Sequence, residues 1–224
     1  MNLQKSILYK YAGLLASCTR ARLVGTRGAD EIFNLQILDC EPSLEFLPVS
    51  GKVIDVGSGG GLPGIVWAVY RPDLKIFLLD SVNKKCEAVR EIVKELEIKN
   101  IEIVCSRSED FAKLHREEFD LAAARAMASA GVTAELLSPL VKVGGKILTF
   151  KGEKVHEEIS EVGEWQVLGL SKPSLKFYDE NSSSKCIVTW EKISKCPKDF
   201  PRRTGLAGTK KFWQDRNLIK NEKI

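Results

Sequence analysis

The chain has few of the side chains that enzymes use for metal binding, disulfide formation or proton abstraction. Its 224 residues include two histidines, His115 and His156, and six cysteines without paired spacing. A zinc site needs clustered Cys or His ligands and a disulfide framework needs paired cysteines, so neither is expected. Cys86 and Cys105 fall inside predicted regular elements, where we expect ordinary buried thiols. These features predict a reduced, cytoplasmic protein without a metal ion.

Long hydrophobic runs are also missing, and no stretch is long enough to cross a membrane. The formal net charge of +4 is unevenly distributed, because residues 1–29 hold five Lys or Arg and no acid, and residues 194–224 hold nine against three acids. Basic ends on an acidic middle favour a polyanionic partner held by the ends. Two solvated termini would give the same distribution, so charge alone leaves both interpretations open.

The C-terminal segment adds a second hint of a nucleic-acid partner. Basic and turn-forming residues alternate over 201–211, directly before Phe212 and Trp213. Cations beside aromatic stacking surfaces suit single-stranded or looped RNA, and a disordered basic tail is the alternative. The predicted RNA contacts of this segment are Arg202, Arg203, Lys210 and Lys211.

Apolar runs alternate with amphipathic stretches from residue 53 onward. The pattern predicts strands at 53–56, 75–80, 101–106, 119–124, 145–150, 165–170 and 185–192, and helices at 64–70, 83–97, 108–114, 129–142 and 153–162. Two earlier helices are predicted near 2–18 and 30–39. Such alternation is typical of an α/β fold in which a mostly parallel seven-stranded sheet has helices on both faces and an antiparallel last strand. We expect one structural domain that comprises a helical extension (1–50), a Rossmann-like core (51–193) and a basic tail (194–224).

A glycine-rich loop follows the first predicted strand. Five glycines stand among the eight residues 57–64, and the next apolar run ends on Asp80. Glycine lets a ligand lie against the main chain where a Cβ would collide, and the following helix presents unpaired N–H groups. A carboxylate at the end of the second strand can accept hydrogen bonds from both hydroxyls of a ribose. The segment therefore predicts a site for a nucleoside cofactor.

The spacing of this loop bears on which cofactor it holds. Gly59-x-Gly61-x-x-Gly64 satisfies the dinucleotide pattern, so pattern alone permits a nicotinamide cofactor. However, Asp55 places a negative charge two residues before Gly57, where a pyrophosphate needs neutral or positive surroundings. The run Asp55-x-Gly57-x-Gly59-x-Gly61 instead resembles the loop of Rossmann-like methyltransferases. Their cofactor, S-adenosylmethionine, carries an amino group and a sulfonium and no phosphate, which suits an acidic residue.

Polar residues follow the later predicted strands at the edge where ligands bind in such sheets. Ser108 and Glu109 can cap and stabilise the next helix, or recognise an adenine edge. Arg125 lies among alanines that leave it room to point into a cleft, and guanidinium is the preferred partner of carboxylates and phosphates. Lys151 is either a solvated strand end or a contact to a substrate phosphate.

Two motifs of other nucleic-acid methyltransferases are missing. Enzymes that methylate an exocyclic amino group usually carry an Asn/Asp-Pro-Pro-aromatic turn after the fourth strand, and this chain has none. Methylation of cytosine carbon 5 needs a nucleophilic cysteine, typically after a proline, whereas Cys196-Pro197 has the reverse order and lies in the tail.

Several motifs together resemble the RsmG/GidB family of rRNA methyltransferases, from about Leu23 to Lys211. They are Asp55-Val56-Gly57-Ser58-Gly59-Gly60-Gly61-Leu62-Pro63-Gly64, Leu78-Leu79-Asp80-Ser81 with Lys84-Lys85, Arg125-Ala126, Lys151-Gly152 and Pro201-Arg202-Arg203. The resemblance implies methyl transfer to guanine N7 in a small-subunit rRNA loop. It also implies cofactor contacts at Gly57, Leu62, Ser108, Glu109 and Arg125. The chain departs from the family at Arg22-Leu23-Val24 and at Leu35-Gln36, which bears on RNA docking in the N-terminal helices.

The chemistry of guanine N7 fits the shortage of histidines. N7 has an in-plane lone pair, so no proton must leave before it attacks the sulfonium methyl, and catalysis comes mainly from holding N7, methyl carbon and sulfur in line. The candidate catalytic residues are Asp55, which can stabilise the moving charge, and Arg125, which can bridge cofactor and substrate. The cofactor-binding set also includes Gly59, Gly61 and Asp80.

Two alternatives stay open beside methylation of 16S rRNA at guanine N7. One is a methyltransferase for another rRNA position or a small molecule, and the other is a non-catalytic, cofactor-binding ribosome-assembly factor. The expected partner is 16S rRNA, either naked or within a small ribosomal subunit, with no membrane and no metal ion. The sequence does not determine the oligomeric state, for which a monomer is the expectation.

Overall fold

The structure, a computed structural model, describes residues 2–26, 28–178, 185–215 and 218. The chain divides into two compact units, an N-terminal unit (1–106) and a C-terminal unit (107–224). The predicted boundaries at residues 50 and 193 stay a prediction.

The N-terminal unit begins with helical structure. Helix α1 spans Leu3–Ser17 and is capped by Asn2, whose side chain accepts a hydrogen bond from the Lys5 amide at 3.0 Å. The second helical stretch is longer than predicted and changes type along its length, from α2 (Ala29–Ile32) through a π turn (Phe33–Ile37) to a 3₁₀ helix (Leu38–Phe46). Pro42 lies inside the last part and has no N–H to donate, which opposes a regular α-helix there.

Three parallel strands with two helices complete this unit. They are β1 (Lys52–Val56), α3 (Gly64–Tyr70), β2 (Lys75–Asp80), α4 (Asn83–Glu95) and β3 (Ile101–Cys105). Asp80 pairs in register with Cys105 at the end of β3. Cys86 is buried on the inner face of α4, as predicted, whereas the prediction for Cys105 is wrong, because it ends an edge strand and is exposed.

The described residues of the C-terminal unit form four strands and four α-helices. They are α5 (Ser108–Leu114), β4 (Phe119–Arg125), α6 (Ala130–Leu137), β5 (Val141–Lys151), α7 (Val155–Ser160), β6 (Ser174–Phe177), β7 (Cys186–Glu191) and α8 (Leu206–Thr209). Strands β4 and β5 are parallel, and β7 lies antiparallel to both β5 and β6. The expected antiparallel last strand is thus confirmed.

Two predicted elements of this unit are wrong. Residues Trp165–Leu168 form a 3₁₀ turn rather than a strand, and Gly169 ends it with a φ of +72°, where a Cβ would lie 2.4 Å from the Ser194 carbonyl oxygen. The edge strand is β6 instead. The helix predicted over 129–142 stops at Leu137, and a 3₁₀ turn that contains Pro139 leads directly into β5.

The strands follow the order β3-β2-β1-β4-β5-β7-β6 in a seven-stranded sheet. This order, mostly parallel with helical connections, confirms the predicted α/β class. Among the described residues, no helix combines the length and apolarity that crossing a bilayer requires.

The basic segment after residue 194 is packed where the structure describes it. Phe200 and Phe212 are almost completely buried, and their ring centroids lie 5.7 Å apart in an edge-to-face arrangement. Arg116 donates to the carbonyl oxygens of Phe200 and Cys196 at 2.5 and 2.8 Å. This part of the segment is therefore anchored to the C-terminal unit and is not a disordered tail.

Candidate active site

The glycine loop after β1 is held against β2 by its own backbone. The amides of Gly57 and Ser58 both donate to the Leu79 carbonyl, at 2.8 and 3.1 Å. Gly57, Gly59 and Gly61 have φ angles of 70°, 56° and 95°, in the left-handed region that side chains disfavour. The loop's path thus requires glycine at these three positions.

Gly64 is required for a different reason, which is space. A Cβ on Gly64 would lie 2.2 Å from the Leu78 Cδ2 and 3.1 Å from the Asp55 Oδ2. Helix α3 therefore starts in direct contact with β2, and any side chain at its first residue would push the two apart.

Asp80 fixes the other side of this loop. Its carboxylate accepts hydrogen bonds from the Gly59 amide through Oδ2 and from the Val82 amide through Oδ1, both at 2.9 Å. The side chain is buried. Each carboxylate oxygen has two lone pairs, so both can accept a further hydrogen bond from a ribose hydroxyl.

Asp55 is completely buried, and its Oδ2 accepts a hydrogen bond from the Gly64 amide at 3.0 Å. The carboxylate thus meets the first N–H of α3, where negative charge is stabilising. Through this contact, Asp55 positions the start of α3 relative to the glycine loop. The catalytic role of Asp55 stays a prediction.

Tyr11 also holds the glycine loop, and no sequence motif indicated this contact. Its hydroxyl, on helix α1, donates to the Gly60 carbonyl at 2.6 Å, and the side chain is fully buried. Nearby, the Leu23 carbonyl oxygen would lie 3.2 Å from a Cβ on Gly60. One of the family departures, Arg22-Leu23-Val24, therefore lies beside the glycine loop.

The predicted adenine-recognition residues begin the C-terminal unit's first helix and already have protein partners. The Ser108 hydroxyl donates to the Leu136 carbonyl at 3.3 Å, so it does not cap α5 as expected. Glu109 is buried and accepts a hydrogen bond from the Gly205 amide at 2.9 Å. Their contact to the cofactor stays a prediction.

Arg125 is the last residue of β4 and pairs in register with Phe150 of β5. Its guanidinium carbon lies 5.8 Å from the centre of the Phe150 ring, within the range of a cation–π contact. The next residue, Ala126, has a φ of +53°, which is a strained conformation for alanine. Such strain is common where a loop must present a functional group.

Lys151, at the end of β5, is held by a carboxylate and by a backbone carbonyl. Its side chain is only 7% exposed, its ammonium lies 2.8 Å from the Glu158 carboxylate, and it also donates to the Ala128 carbonyl. Glu158 in turn accepts a hydrogen bond from the Ala130 amide at 2.7 Å. Lys151 is therefore not a solvated strand end, and its contact to RNA stays a prediction.

The four C-terminal RNA candidates divide into two groups. Arg202 is buried, and its Nε and Nη2 each lie 2.7 Å from the carboxylate of the fully buried Glu135. By contrast, the side chain of Arg203 is exposed. Lys210 and Lys211 form surface ion pairs with Asp215 and Glu161, each with an N–O distance of 2.8 Å. We therefore assign Arg202 to the fold and keep the other three as candidates.

Both histidines are engaged in contacts of the C-terminal unit. His115 stacks on Phe111 and lies 3.2 Å from Glu118, and His156 stacks on Phe177. Within the described parts of the chain, no three Asp, Glu, His or Cys side chains are grouped as metal ligands would be.

The comparison with known families decides the assignment of the chain. The model of the family described as rRNA small subunit methyltransferase G matches residues 4–186. The chain belongs to this family. The resemblance stated from the sequence motifs is thereby confirmed.

Relatives in the family share sequence over most of the chain. The ribosomal RNA small subunit methyltransferase G of Petrotoga mobilis is 40% identical over 73% of this chain and 73% of its own length. That of Rubrobacter xylanophilus is 35% identical over 91% of this chain and 82% of its own length, and that of Clostridium perfringens is 35% identical over 90% and 87%.

Solved structures agree with the fold. The antibiotic-resistance methyltransferase Kmr aligns with a TM-score of 0.53 at 15% identity, over 64% of this chain and 87% of its own. The S-adenosylmethionine-dependent methyltransferase SibL aligns with a TM-score of 0.57 at 12% identity, over 86% and 70%. At such identities the likeness shows the fold alone, which is that of Rossmann-like methyltransferases.

Some of the predicted site residues lie inside the range that the family model matches, and others lie outside it. The matched range 4–186 includes the glycine loop, Asp80, Arg125 and Lys151. It ends before Arg203 and the two exposed lysines of the C-terminal segment. Family membership therefore supports the cofactor side of the site more directly than the RNA candidates.

Proposed function

We propose that this chain transfers the methyl group of S-adenosylmethionine to N7 of a guanine in 16S rRNA. The observation that carries the proposal is membership in the rRNA small subunit methyltransferase G family, together with a glycine loop whose geometry suits that cofactor. The family resemblance implies N7 as the acceptor atom. The absence of the sequence motifs for amino-group methylation and for cytosine carbon-5 methylation is consistent with that acceptor.

The loop geometry favours S-adenosylmethionine over a dinucleotide. In dinucleotide sites, free N–H groups at the start of the helix bind the pyrophosphate. Here the Gly64 amide already donates to Asp55, whose buried carboxylate would repel a second anion. Asp80, held by two backbone amides, is positioned to accept the ribose hydroxyls.

The residues of the chain have a limited chemical task in this reaction. Held by the glycine loop and Asp80, S-adenosylmethionine would supply an electrophilic methyl group to the N7 lone pair and would leave as S-adenosylhomocysteine, with the positive charge passed to the 7-methylguanine. No general base is required. We assign the orientation of cofactor or substrate to Arg125, whose planar guanidinium can bind a carboxylate or a phosphate in two places.

The same proposal names the partner and the location. The substrate is 16S rRNA, alone or within the small ribosomal subunit, and the enzyme acts where that RNA is, in the cytoplasm. The exposed Arg203, Lys210 and Lys211 are the proposed phosphate contacts, and a monomer is sufficient for the reaction.

Cofactor titration combined with methyl transfer tests the proposal. Asp80→Ala should weaken S-adenosylmethionine binding by about 1–3 kcal/mol, because hydrogen bonds to a carboxylate are lost. The matched control is Asp73→Ala, which removes an exposed carboxylate of the same unit. Tight NAD binding by the wild type, or equal effects of the two substitutions, would contradict the cofactor assignment.

The rival functions give different products. Mass spectrometry of nucleosides from 16S rRNA incubated with enzyme and cofactor should show 7-methylguanosine. A methyl group on another nucleoside would favour a methyltransferase for another rRNA position. Cofactor binding without any methylated RNA would favour a non-catalytic assembly factor.

A further inference from the structure

We infer that Lys151 and Glu158 form a positioning pair that fixes the loop 126–129 and thereby the orientation of Arg125 during methyl transfer. The inference rests on the proposed function. It assigns a role to Glu158 and gives Lys151 a role other than contact with RNA.

The pair reaches the loop at two points. The Lys151 ammonium, on β5, donates to the carbonyl of Ala128, within the loop. The Glu158 carboxylate, on α7, accepts from the amide of Ala130, the first residue of α6, at 2.7 Å. Because the two side chains are themselves 2.8 Å apart, one ion pair ties a strand, a helix and the loop together.

The loop needs such support. Ala126 has a φ of +53°, a conformation that costs free energy for alanine and persists only when its surroundings enforce it. Ser129 stands at the position before α6 where a serine usually caps the helix, but its side chain makes no capping hydrogen bond. Glu158 supplies the missing acceptor from another helix, and its negative charge suits a helix N-terminus.

The burial of the pair makes it stiff. The Lys151 side chain is 7% exposed and that of Glu158 is 27% exposed, so water screens their attraction less than at an open surface. Removing one partner leaves the other charge poorly solvated, whereas removing both avoids that penalty. The double variant Lys151→Met/Glu158→Met should therefore fold, although the contacts to Ala128 and Ala130 are gone.

The consequence for catalysis follows from the place of Arg125, directly before the loop. Released from the pair, the loop can relax the strain at Ala126 and turn Arg125 away from its position. Misplacement by about 1 Å in a bound complex can reduce turnover about 100-fold. Affinity for the cofactor should change much less than turnover, because Asp80 and the glycine loop, which supply most of the predicted cofactor contacts, lie in the other unit.

The experiment compares wild type, Lys151→Met/Glu158→Met and the control Lys113→Met, which breaks an exposed ion pair with Asp110 in the same unit. Methyl transfer to small ribosomal subunits is measured at saturating substrate, beside cofactor affinity, RNA affinity and amide hydrogen exchange. We expect a fall in kcat of about 100-fold in the double variant, with RNA affinity unchanged, a much smaller change in cofactor affinity and faster exchange at Ala130. Lys113→Met should match the wild type in every readout.

The other possible results would contradict either the positioning role of the pair or the proposed function. Unchanged kcat, or unchanged exchange at Ala130, would overturn the positioning role. Weaker RNA binding at unchanged kcat, with a salt slope reduced by about 0.7–0.9 per lost contact, would make Lys151 a phosphate ligand instead. Failure of the wild type to methylate rRNA would overturn the proposed function itself, which separates that result from failure of the pair.

Discussion

The two units stabilise their loops by different kinds of contact. In the N-terminal unit, the loop 57–64 is held by backbone amides, by the carboxylates of Asp55 and Asp80, and by the neutral hydroxyl of Tyr11. In the C-terminal unit, the loop 126–129 is held by the ion pair of Lys151 and Glu158. The first loop is held by hydrogen bonds between its backbone amides and single carboxylates, and the second by a pair of opposite charges.

The same contrast extends to ion pairs elsewhere in the two units. Arg20 and Glu91 of the N-terminal unit form a pair in which both side chains are well exposed. Arg202 and Glu135 of the C-terminal unit form one in which the side chains are 8% and 0% exposed. Exposed pairs contribute little to stability, whereas breaking a buried pair leaves a charge without water or partner. Removing the charge of Glu135 should therefore cost more stability than removing that of Glu91.

The largest effect is expected from Glu135→Gln. The substitution keeps the shape of the side chain and leaves the Arg202 guanidinium buried without its counter-charge, which should lower the free energy of unfolding by about 3–5 kcal/mol. Glu91→Gln is the matched control, with a loss of less than about 1 kcal/mol. Denaturant titration of both variants measures the difference, and similar losses would contradict the contrast between the units.

The glycine loop should be the most sensitive part of the N-terminal unit. Gly64→Ala places a methyl group 2.2 Å from Leu78 Cδ2, so we expect a loss of about 1–3 kcal/mol in the free energy of unfolding together with weaker cofactor binding. Gly13→Ala, within α1, meets no atom within 4 Å and should be neutral or slightly stabilising. Thermal unfolding and calorimetry distinguish them, and a neutral Gly64→Ala would show that α3 can move.

A smaller effect should follow from Tyr11→Phe, which removes one hydroxyl from a buried hydrogen bond to the Gly60 carbonyl. We expect cofactor binding to weaken by about 1 kcal/mol, because the carbonyl loses its donor and the loop becomes less ordered. Tyr9→Phe removes an exposed hydroxyl bonded to Asp30 and serves as the control in the same titration. Equal cofactor affinity of both variants would mean that α1 does not support the loop.

The smallest effect concerns Lys192, whose pKa is lowered by burial beside the Ser138 hydroxyl and carbonyl. Between this lowered pKa and the unfolded value of about 10.4, the native state binds fewer protons than the unfolded state, so stability rises with pH. We therefore compare the free energy of unfolding of the protein that keeps Lys192 with that of Lys192→Met. The difference between the two, first minus second, should increase as pH rises through this window.

That comparison is best made in a Cys196→Ser background. Burial raises the pKa of the Cys196 thiol, and a raised acid pKa makes stability fall with pH, which opposes the effect of Lys192. Chemical denaturation at several pH values provides the measurement. A difference that does not change with pH would show that Lys192 titrates alike in the folded and unfolded chain.

The contrast between the loops also explains what the sequence could predict. The glycine loop and Asp80 were recognisable because their function depends on residue types at short spacings along the chain. Tyr11 was missed because its partner Gly60 lies 49 residues away and a tyrosine on a helix carries no motif. Glu158 was missed for the same reason, since it meets Ala130 from a helix 28 residues later.

Predictions from charge alone did not anticipate which basic side chains are buried. Arg202 was predicted to contact RNA, and Lys151 to be either a solvated strand end or a phosphate contact, yet each has a carboxylate partner inside the C-terminal unit. A sequence does not reveal whether a basic side chain meets solvent or a buried acid. In the fold, the strand predicted at 165–170 was wrong because its apolar residues pack in a 3₁₀ turn that ends on Gly169.

The most direct test of the account is the position of the methyl group on the RNA. 16S rRNA or small subunits that lack the modification are incubated with S-adenosylmethionine and either wild type or Arg125→Ala, and then treated with borohydride and aniline, which cleave the chain at 7-methylguanosine. We predict cleavage at a single guanine with the wild type and almost none with Arg125→Ala, although that variant folds normally. Methylated RNA that resists this cleavage would contradict transfer to N7.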